Sequence, residues 1–461
     1  MAPRKSGRFK RVVILLALAG LVFAGIAAFR AGPEPAIEIS SDLPGIGKKT
    51  LVRIKVEEPE RGLAGYRVEF VQGSRITPLA ERGFDPLESW EFWGERTAAD
   101  DLAVEVGSET LDGLEDGPAT VRVVAERAPS YLRRPDGTVA ELRLEVRLRP
   151  PVLEVLSSRV FVTQGGAEAV VYRVGPSTVE HGVQSGDWWF PGYPVPGGGD
   201  QDRFALFGIP YDLDGPDGIR LVARDAVGNE ARMPIVDRFT RKPLHKDTIT
   251  LSDSFMSRVV PAILARSPEV RDRGDLLQNY LAINRELRAI NDAQLKELAA
   301  KSATEFLWDT AFLQMQNAKV MSDFADRRTY VYDGKAVDHQ DHLGFDLASV
   351  QNAEIQAAGA GTVAYAGWLG IYGNAVIIDH GYGLMSLYGH LSAVSVEHGQ
   401  GIERGDVVGR SGQTGLAGGD HLHFSMLLQG HPVDPEEWWD GHWIHDRLEL
   451  KLGGAFPFRE R

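Results

Sequence analysis

The sequence predicts a multidomain, mainly β protein with an N-terminal transmembrane helix, two β-sandwich domains, a helical linker segment and a C-terminal domain. Its 461 residues are about three times the usual size of a single domain. One uncharged apolar run lies near the N-terminus, and short stretches of alternating apolar residues fill much of the chain. Hydrophobic residues at 43% and charged residues at 25% are typical of globular proteins, which excludes a mostly disordered chain.

The N-terminus combines a basic segment with an apolar run. Residues 1–11 contain five basic residues and no acidic one, and residues 12–29 contain no charge. As a helix, this run spans roughly 27 Å, close to the ~30 Å hydrocarbon core of a bilayer. We expect a single-pass anchor in the cytoplasmic membrane with residues 1–11 in the cytoplasm; the alternative is a cleaved signal peptide. Both interpretations predict a C-terminal body in the periplasm or extracytoplasmic space.

Charge and cysteine content exclude several classes of function. The formal net charge is −14, and because residues 1–11 are basic, the rest of the chain is more acidic still. We therefore predict no binding to nucleic acid, since a protein this acidic repels phosphates. The absence of cysteine excludes disulfides, thiolate nucleophiles and cysteine-type zinc sites.

Two stretches, 35–149 and 150–240, are predicted to be β-sandwich domains. Period-2 alternation with β-branched residues, as in residues 51–56, is typical of half-buried strands. Two consecutive prolines mark the boundary between the two stretches. Residues 220–231 have the pattern of two strands joined by a turn, and they resemble the final hairpin of bacterial immunoglobulin-like domains. This resemblance implies a fold and no activity.

Four aromatic residues lie in a stretch of the second sandwich that is rich in proline and glycine: Trp188, Trp189, Phe190 and Tyr193. A loop with such side chains could stack on the sugar rings of a polysaccharide. Alternatively, the rings cover the end of the sandwich core. We favour the second interpretation.

Residues 253–325 are predicted to form a helical segment. An apolar stripe recurs there at steps of four and three residues, comprising Leu276, Tyr280, Ile283, Leu287 and Ile290. This spacing places the stripe on one face of a helix. It is too short to indicate a coiled-coil dimer, so we expect the helix to pack within the chain.

Histidines indicate a site in the C-terminal third, because ten of the 12 lie from His339 onward. His342 and Asp346 lie four residues apart and His421 and His423 two apart, so each pair can share one face of a strand. Two histidines and one carboxylate form a ligand set that leaves a fourth zinc position open for water. A separate imidazole, such as His390, could act as a base or stabilise an oxyanion.

Three motifs occur in order within 83 residues: His-x-Gly-x-Asp, Tyr-Gly-His-Leu and His-Leu-His-Phe. With them, the chain from about 326 to 438 resembles the LytM/lysostaphin type of zinc metallopeptidase, peptidase family M23, and we expect a zinc peptidase domain at 326–445. Further matching features lie at 361–363, 372–374, 378–381, 399–400, 405–406, 412–415 and 432–435. The resemblance implies a compact, mostly antiparallel β domain with its site in an open groove.

The resemblance also implies a role for each site residue. His342, Asp346 and His423 would bind Zn2+, while His390 and His421 would be the catalytic histidines that activate water and stabilise the tetrahedral intermediate. All five positions carry the expected residue. This matters because some members of the family lack ligands and activate other cell-wall enzymes.

Some positions depart from the common pattern or leave alternatives open. Residues 415–420 replace the Ser/Thr and Gly-Pro of many members, which could alter the groove wall. A tyrosine upstream of the first ligand contributes to some sites of the family, and Tyr330 and Tyr332 are both candidates. His380 could support the site from behind. The remaining histidines of this region are expected at the surface or in packing: His339, His398, His431, His442 and His445.

The sequence therefore predicts a membrane-anchored zinc metallo-endopeptidase that hydrolyses peptide bonds in peptidoglycan cross-links. One alternative is a non-catalytic LytM-type activator or scaffold for another cell-wall hydrolase, with the helical segment occluding the groove. Another is a zinc peptidase that acts on an envelope protein. The expected partners are the peptidoglycan peptide and the inner membrane, together with an unidentified regulatory protein.

Overall fold

The computed structural model describes residues 6–29, 32–86, 88, 94–130, 134–157 and 159–459. Strands make up 43% and helices 19% of the described residues, so the predicted mainly β class is confirmed. The chain separates into two compact units, of which one comprises Met1–Pro151 with Arg224–Glu230. The other comprises Val152–Ala223 with Ala231–Arg461.

An N-terminal helix, α1 (Ser6–Phe29), contains the apolar run. The stretch Arg8–Ile26 is long and apolar enough to cross a membrane, and no part of it is buried by the rest of the described chain. A membrane anchor and a signal sequence both fit these properties.

The first unit contains a β-sandwich, as the alternating pattern predicts. In β3, Val52, Ile54 and Val56 are buried, whereas Arg53 and Lys55 between them are exposed. A three-stranded sheet in the order β1-β3-β6 and a five-stranded sheet in the order β2-β8-β7-β4-β5 enclose the core. The strands are β1 (Ala36–Ser41), β2 (Gly45–Ile46), β3 (Thr50–Glu57), β4 (Leu63–Gln72), β5 (Arg75–Gly83), β6 (Ala99–Val106), β7 (Gly117–Arg127) and β8 (Thr138–Val146).

A second sandwich follows, with two four-stranded sheets in the orders β14-β15-β11-β9 and β13-β12-β16-β17. The predicted hairpin at 220–231 corresponds to β16 and β17. The strands are β9 (Leu153–Val155), β10 (Phe161–Thr163), β11 (Ala167–Val174), β12 (Thr178–Ser185), β13 (Trp188–Pro191), β14 (Tyr193–Pro194), β15 (Asp202–Gly208), β16 (Ile219–Asp225), β17 (Glu230–Pro234) and β18 (Arg238–Thr240), which pairs with β10. A 3₁₀ turn covers Pro216–Gly218.

The aromatic stretch of this sandwich packs against the C-terminal part of the chain. Trp188 stacks on His431 at 4.3 Å between ring centroids, and Tyr193 contacts Tyr382 at 4.9 Å. The Gln429 side chain donates a hydrogen bond of 2.9 Å to the Tyr193 hydroxyl. The rings therefore join two parts of the second unit, rather than simply covering the end of the sandwich core or standing free as a platform for sugars.

The helical segment consists of α2 (Asp253–Leu264), α3 (Leu276–Ala282), a π-helical turn (Ile283–Leu287) and α4 (Arg288–Ala299). The side chains of Ser252 and Asp275 accept the N-cap hydrogen bonds of α2 and α3. Tyr280, Ile283 and Leu287 are buried, so the predicted stripe does face the interior. The helices end at Ala299 rather than near 325, because the following residues run as loops into a strand of the C-terminal domain.

The C-terminal domain is built on an antiparallel sheet in the order β20-β23-β31-β27-β26-β25-β29, with β32 paired to β31. Smaller sheets have the orders β19-β21-β22 and β24-β30-β28. The strands are β19 (Lys246–Thr250), β20 (Lys319–Ser322), β21 (Asp326–Tyr332), β22 (Lys335–His342), β23 (Phe345–Ala348), β24 (Glu354–Gln356), β25 (Gly361–Trp368), β26 (Asn374–Gly381), β27 (Leu384–Leu391), β28 (Ala393–Val394), β29 (Gly401–Ile402), β30 (Val407–Arg410), β31 (Leu422–Leu428) and β32 (His431–Val433).

Helix α4 covers one face of this sheet, and the core shared with the second sandwich covers the other. Leu295 of α4 packs with Ile377 and Leu387, whereas Ile378 and Tyr388 belong to the opposite core. The central strands β27 and β31 are therefore buried throughout. The remaining helical elements are a 3₁₀ turn (Gly370–Tyr372), α5 (Pro435–Trp439), α6 (Gly441–Ile444), a π-helical turn (His445–Glu449), α7 (Leu450–Leu452) and a 3₁₀ turn (Gly453–Ala455).

Candidate active site

Strand pairing brings four of the five predicted site residues to one end of the central strands. Asp346 of β23 pairs directly with His423 of β31, and His423 pairs with Gly389, the neighbour of His390 in β27. His421 immediately precedes β31 and bridges to Gly412.

His342 reaches the same place from another sheet. It is the last residue of β22, whereas Asp346 lies in β23, so our expectation that the two share one face of a single strand was wrong. The strand is interrupted between them at Gly344. A Cβ atom at this position would come within 2.5 Å of Ser425 Oγ and 2.7 Å of the His423 ring. Only glycine allows this approach, which brings His342 and Asp346 to 3.0 Å.

His342, Asp346 and His423 form a group that could hold a metal ion. His342 Nε2 lies 3.0 Å from Asp346 Oδ1 and 3.1 Å from His423 Nδ1. His423 Nδ1 lies 3.1 Å from the same carboxylate oxygen. Ligand atoms around a zinc ion, at about 2.0–2.2 Å from it, are separated by distances of this order.

Hydrogen bonds on the far side of each ring fix the tautomers. His342 Nδ1 lies 3.0 Å from the Asp323 carbonyl oxygen, which can only accept, so this nitrogen carries the hydrogen. The Ser425 hydroxyl donates to the Leu343 carbonyl and therefore accepts from His423 Nε2 at 3.0 Å.

These tautomers leave a lone pair on His342 Nε2 and on His423 Nδ1, and both point at Asp346 Oδ1. Three acceptor atoms that face one another repel unless a proton or a cation lies between them. The donor set thus suits a divalent cation such as zinc, with its outer hydrogen bonds already made.

The carboxylate stays ionised in this setting. When no cation is bound, a proton on His342 takes its place: burial alone would raise the pKa of Asp346, but the charge of His342 and the hydrogen bonds from His342 and His421 hold it well below its usual value. Burial lowers the pKa of His423 to about 4, so its ring is neutral at physiological pH, as a metal ligand requires.

His390 and His421 lie beside this group, with ring centroids 4.9 Å apart. Nδ1 of His390 donates to the Thr414 carbonyl at 2.8 Å, and Nδ1 of His421 to the Gly419 carbonyl at 2.9 Å. Nε2 of each neutral ring therefore carries the lone pair. His390 has a positive φ of 64°, a strained conformation for a residue with a side chain.

The two imidazoles differ in their electrostatic setting. Burial lowers the pKa of His390 well below its usual value, so this ring is neutral. Burial acts in the same direction on His421, but the hydrogen bond and charge of Asp346, 3.4 Å from its Nε2, raise the pKa above the usual value. The site thus holds one imidazole that favours the neutral form and one that favours the protonated form.

Arg328 supports the carboxylate from the other side, a contact that sequence analysis missed. Its guanidinium lies 3.0 Å from Asp346 Oδ2 and donates to Ser322 Oγ at 2.7 Å. Ser322 in turn donates to Asp326, which also accepts from the Asp323 amide. Because the Asp323 carbonyl accepts from His342, this hydrogen-bonded circuit joins His342 to Asp346, two residues of the candidate metal-binding group.

Of the two candidate tyrosines, Tyr330 lies at the site. It is buried and lines the same cavity as the histidines. The Tyr332 hydroxyl instead donates to Asp253 at 2.7 Å, and Tyr332 is not part of the lining. Both side chains pack on the same apolar cluster, as strict alternation places them, but only Tyr330 lines the groove.

The site opens into a groove of about 530 Å³. One wall comes from the strand–helix region that precedes the domain, including Ile249, Thr250, Phe255, Tyr280 and Arg288. Arg258 of α2 donates to the carbonyl oxygens of Ala417 and Gly418, so the helical segment also holds the divergent stretch 415–420.

The other histidines play no direct part in this geometry. His380 is buried, contacts the Ala360 carbonyl and Ser386, and lies outside the lining of the groove. His431 packs on Trp188. Four histidines are exposed: His339, His398, His442 and His445.

The family model for peptidase family M23 matches residues 340–435. Residues 340–435 form a peptidase family M23 domain. This domain holds all five predicted site residues and accounts for about a fifth of the chain. The Arg328 circuit and the helical wall of the groove lie outside the matched residues.

Curated relatives share this domain. The chain is 42% identical over 94 residues to the DD-carboxypeptidase/endopeptidase Mpg of Neisseria meningitidis, covering 20% of this chain and 22% of the relative. It is 30% identical over 193 residues to the peptidoglycan DD-endopeptidase ShyB of Vibrio cholerae, covering 37% and 44%. It is 34% identical over 95 residues to the murein hydrolase activator EnvC of Escherichia coli, covering 21% and 23%. The chain thus matches less than half the length of each of these relatives.

Solved structures of M23 proteins align as well. A crystal structure of a putative peptidase M23 from Pseudomonas aeruginosa aligns over 59% of this chain and 92% of its own. The sequence identity is 23% and the TM-score 0.36.

Proposed function

We propose that this protein is a zinc metallo-endopeptidase that hydrolyses peptide bonds in peptidoglycan cross-links. The convergence of His342, Asp346 and His423, with fixed tautomers that aim three lone pairs at one point, carries the proposal. The similarity of the domain to a peptidoglycan DD-endopeptidase supports the substrate class.

In this proposal His342, Asp346 and His423 hold the zinc ion. When bound there, zinc would act as a Lewis acid on the scissile carbonyl and lower the pKa of a coordinated water. The hydrogen bonds from Ser425 and Asp323 keep both rings in the ligating tautomer. Arg328 keeps Asp346 oriented with Oδ1 toward the histidines.

His390 and His421 move the protons. With Nδ1 donating to a backbone carbonyl, Nε2 of the neutral His390 ring can accept a proton from the attacking water, while His421, which favours the protonated form, can donate to the developing negative oxygen. The ring that has taken up this proton becomes a donor, which stabilises the negative oxygen of the tetrahedral intermediate and then passes the proton to the leaving amine. The carbonyl bonds hold both rings in place throughout the reaction.

We place the active domain outside the cytoplasm, because its substrate lies in the cell envelope and α1 fits an anchor in the cytoplasmic membrane or a signal sequence. The remainder of the chain would then face the wall.

A second candidate is an activator of another cell-wall hydrolase, which the similarity to EnvC favours. In that case the protein would promote release of wall fragments only when a partner enzyme is present. Hydrolysis of an envelope protein is a third candidate with the same zinc chemistry.

The test uses the full-length chain in detergent with purified peptidoglycan sacculi, with and without chelator, followed by mass analysis of the released fragments. We expect metal-dependent loss of cross-linked fragments and no activity in His421→Ala. The exposed His442, changed to Gln, serves as the matched control and should leave activity unchanged.

The alternatives give different results. An activator would release no fragments by itself when folded and zinc-loaded. It would increase the release by a second hydrolase above that of the hydrolase alone, and His421→Ala would do so equally. Intact sacculi together with metal-dependent cleavage of envelope proteins would establish the third candidate. Either result would refute the proposed endopeptidase.

A further inference from the structure

Arg288 is a cation of the groove wall with no carboxylate in direct contact; the charge of Asp292, one turn further along α4, acts on it only at longer range. It is half-buried at the start of α4 and lines the groove together with Tyr280 and Tyr372. Among the described residues, no carboxylate oxygen lies within 4.0 Å of its guanidinium. The other arginine of the lining, Arg328, is paired with Asp346.

The guanidinium is nevertheless held in place. Arg288 Nε donates to the Asn284 backbone carbonyl at 3.1 Å, and one terminal nitrogen donates to Asn284 Oδ1 at 2.8 Å. The other terminal nitrogen makes no hydrogen bond within the described chain. Three of its five N–H groups therefore remain available for a ligand.

A buried network fixes the Asn284 amide. Its nitrogen donates to Asp338 Oδ2 at 2.9 Å, while Arg285 binds the other oxygen of that carboxylate at 2.9 Å. Asn284 and Asp338 are both buried. Because the nitrogen is committed to Asp338, the amide oxygen faces Arg288.

The backbone here is also unusual. Asn284 lies in the π-helical turn Ile283–Leu287, and such turns are rare and occur frequently at functional sites. The turn, the oriented amide and the unpaired guanidinium together form a preorganised cation that faces the groove.

Its position relative to the metal-binding group follows from Tyr372. The Tyr372 ring lies 5.5 Å from that of His423. Arg288, Tyr372 and His423 line the same groove. Burial and the charge of Asp292 raise the pKa of Tyr372, and the charge of Arg288 acts in the opposite direction. A peptide residue spans about 3.5 Å, so a carboxylate within a few residues of the scissile bond can reach Arg288.

We propose that Arg288 binds a free carboxylate of the peptide substrate and so selects anionic peptides. This inference rests on the proposed function and deepens it. Guanidinium binds a carboxylate through paired charged hydrogen bonds, the strongest kind available to an arginine. The carboxylate could be the C-terminal one of the peptide or that of an acidic residue within it.

The test uses the zinc-loaded, full-length chain in detergent and three synthetic cross-linked stem peptides. One has all carboxylates free, one has a C-terminal amide, and one has its internal carboxylates amidated. The kcat and KM values are measured by chromatography with mass detection for the wild type, Arg288→Gln, Arg288→Lys and the exposed control Arg271→Gln.

On the free peptide, Arg288→Gln should raise KM about tenfold with kcat nearly unchanged, the size expected for one charged hydrogen-bonded contact. Arg288→Lys, which retains the charge, should lose less, and Arg271→Gln should match the wild type. On the peptide that lacks the recognised carboxylate, the wild type and Arg288→Gln should have equal KM values, which identifies the source. An equal effect on all three peptides, or none on any, would overturn the inference.

A binding measurement separates this inference from the proposed function. Fluorescently labelled versions of the same peptides are titrated into the metal-free protein, with folding of each variant verified by circular dichroism. If the wild type cleaves no peptide yet binds the free one about tenfold more tightly than Arg288→Gln does, the carboxylate site stands while the hydrolytic function fails. Equal binding by both proteins, or binding by neither, overturns the carboxylate site.

Discussion

His380 should make the stability of the second unit depend on pH. This ring is fully buried and contacts Phe312 edge-on. Its Nδ1 donates to the Ala360 carbonyl, and its Nε2 lies 2.8 Å from Ser386 Oγ. Burial lowers its pKa to about 4, against about 6.5 in an unfolded chain. The unfolded state therefore binds more protons between these values, so stability is full above pH 6.5 and falls as the pH drops toward 4.

The magnitude follows from the two pKa values. At pH 5 the unfolded histidine is largely protonated and the folded one largely neutral, which costs about 2 kcal/mol of unfolding free energy relative to pH 8. A full titration through both values would cost about 3 kcal/mol. Because the ring is fully buried, solvent screening does little to reduce these values.

The assay is urea unfolding, followed by tryptophan fluorescence, of the full-length chain in detergent at pH 8 and pH 5. Chelator is present, so that metal binding adds no pH dependence of its own. The variant is His380→Gln and the control is His442→Gln, whose side chain is fully exposed. We expect His380→Gln to be less stable at pH 8 but to lose about 2 kcal/mol less on acidification. If wild type and variant lose the same amount, His380 is not held neutral and the reasoning fails.

Three further predictions concern contacts that only the folded chain shows. Lys451→Met should lower the unfolding free energy by about 3 kcal/mol, because it leaves the buried Glu168 carboxylate without its 2.8 Å partner; urea titration measures this, and a loss under about 1 kcal/mol would contradict it. Ser425→Ala should weaken zinc affinity about tenfold, because His423 Nε2 loses its acceptor; competition with a chromogenic chelator measures the change, and an unaltered affinity would show that the tautomer is not set by Ser425. Arg328→Gln should weaken zinc affinity by a similar factor through the freed carboxylate of Asp346, with the circular dichroism spectrum unchanged.

Local periodicity predicted much of the fold. Alternation in β3 predicted the burial of Val52, Ile54 and Val56, because successive side chains of a strand point to opposite faces. Steps of three and four predicted the buried stripe of α3 and the turn that follows it, because they match the helical repeat. The π-helical turn within that stripe was not predictable, since one inserted residue leaves no clear mark in the pattern.

Strict alternation did not resolve the details of the site. It placed His342 and Asp346 on one strand, whereas the strand ends before Gly344 and the two residues lie in different sheets. It also could not choose between Tyr330 and Tyr332, because residues two apart on a strand share a face. A single glycine is a small change in sequence with a large effect on the direction of the chain.

The sequence by itself determined which side chains could do chemistry: histidines and a carboxylate at spacings that the M23 motifs share, in a chain without cysteine. Motif spacing suffices for this, because ligands supplied by adjacent strands recur at fixed offsets. Only the tertiary structure decided what surrounds them: the tautomers set by Ser425 and Asp323, the support from Arg328, and the wall that carries Arg288. Asp323 lies 19 positions from His342, and Ser425 lies 82 positions from the Leu343 carbonyl that orients its hydroxyl. Only the packing of separate elements brings these residues into contact.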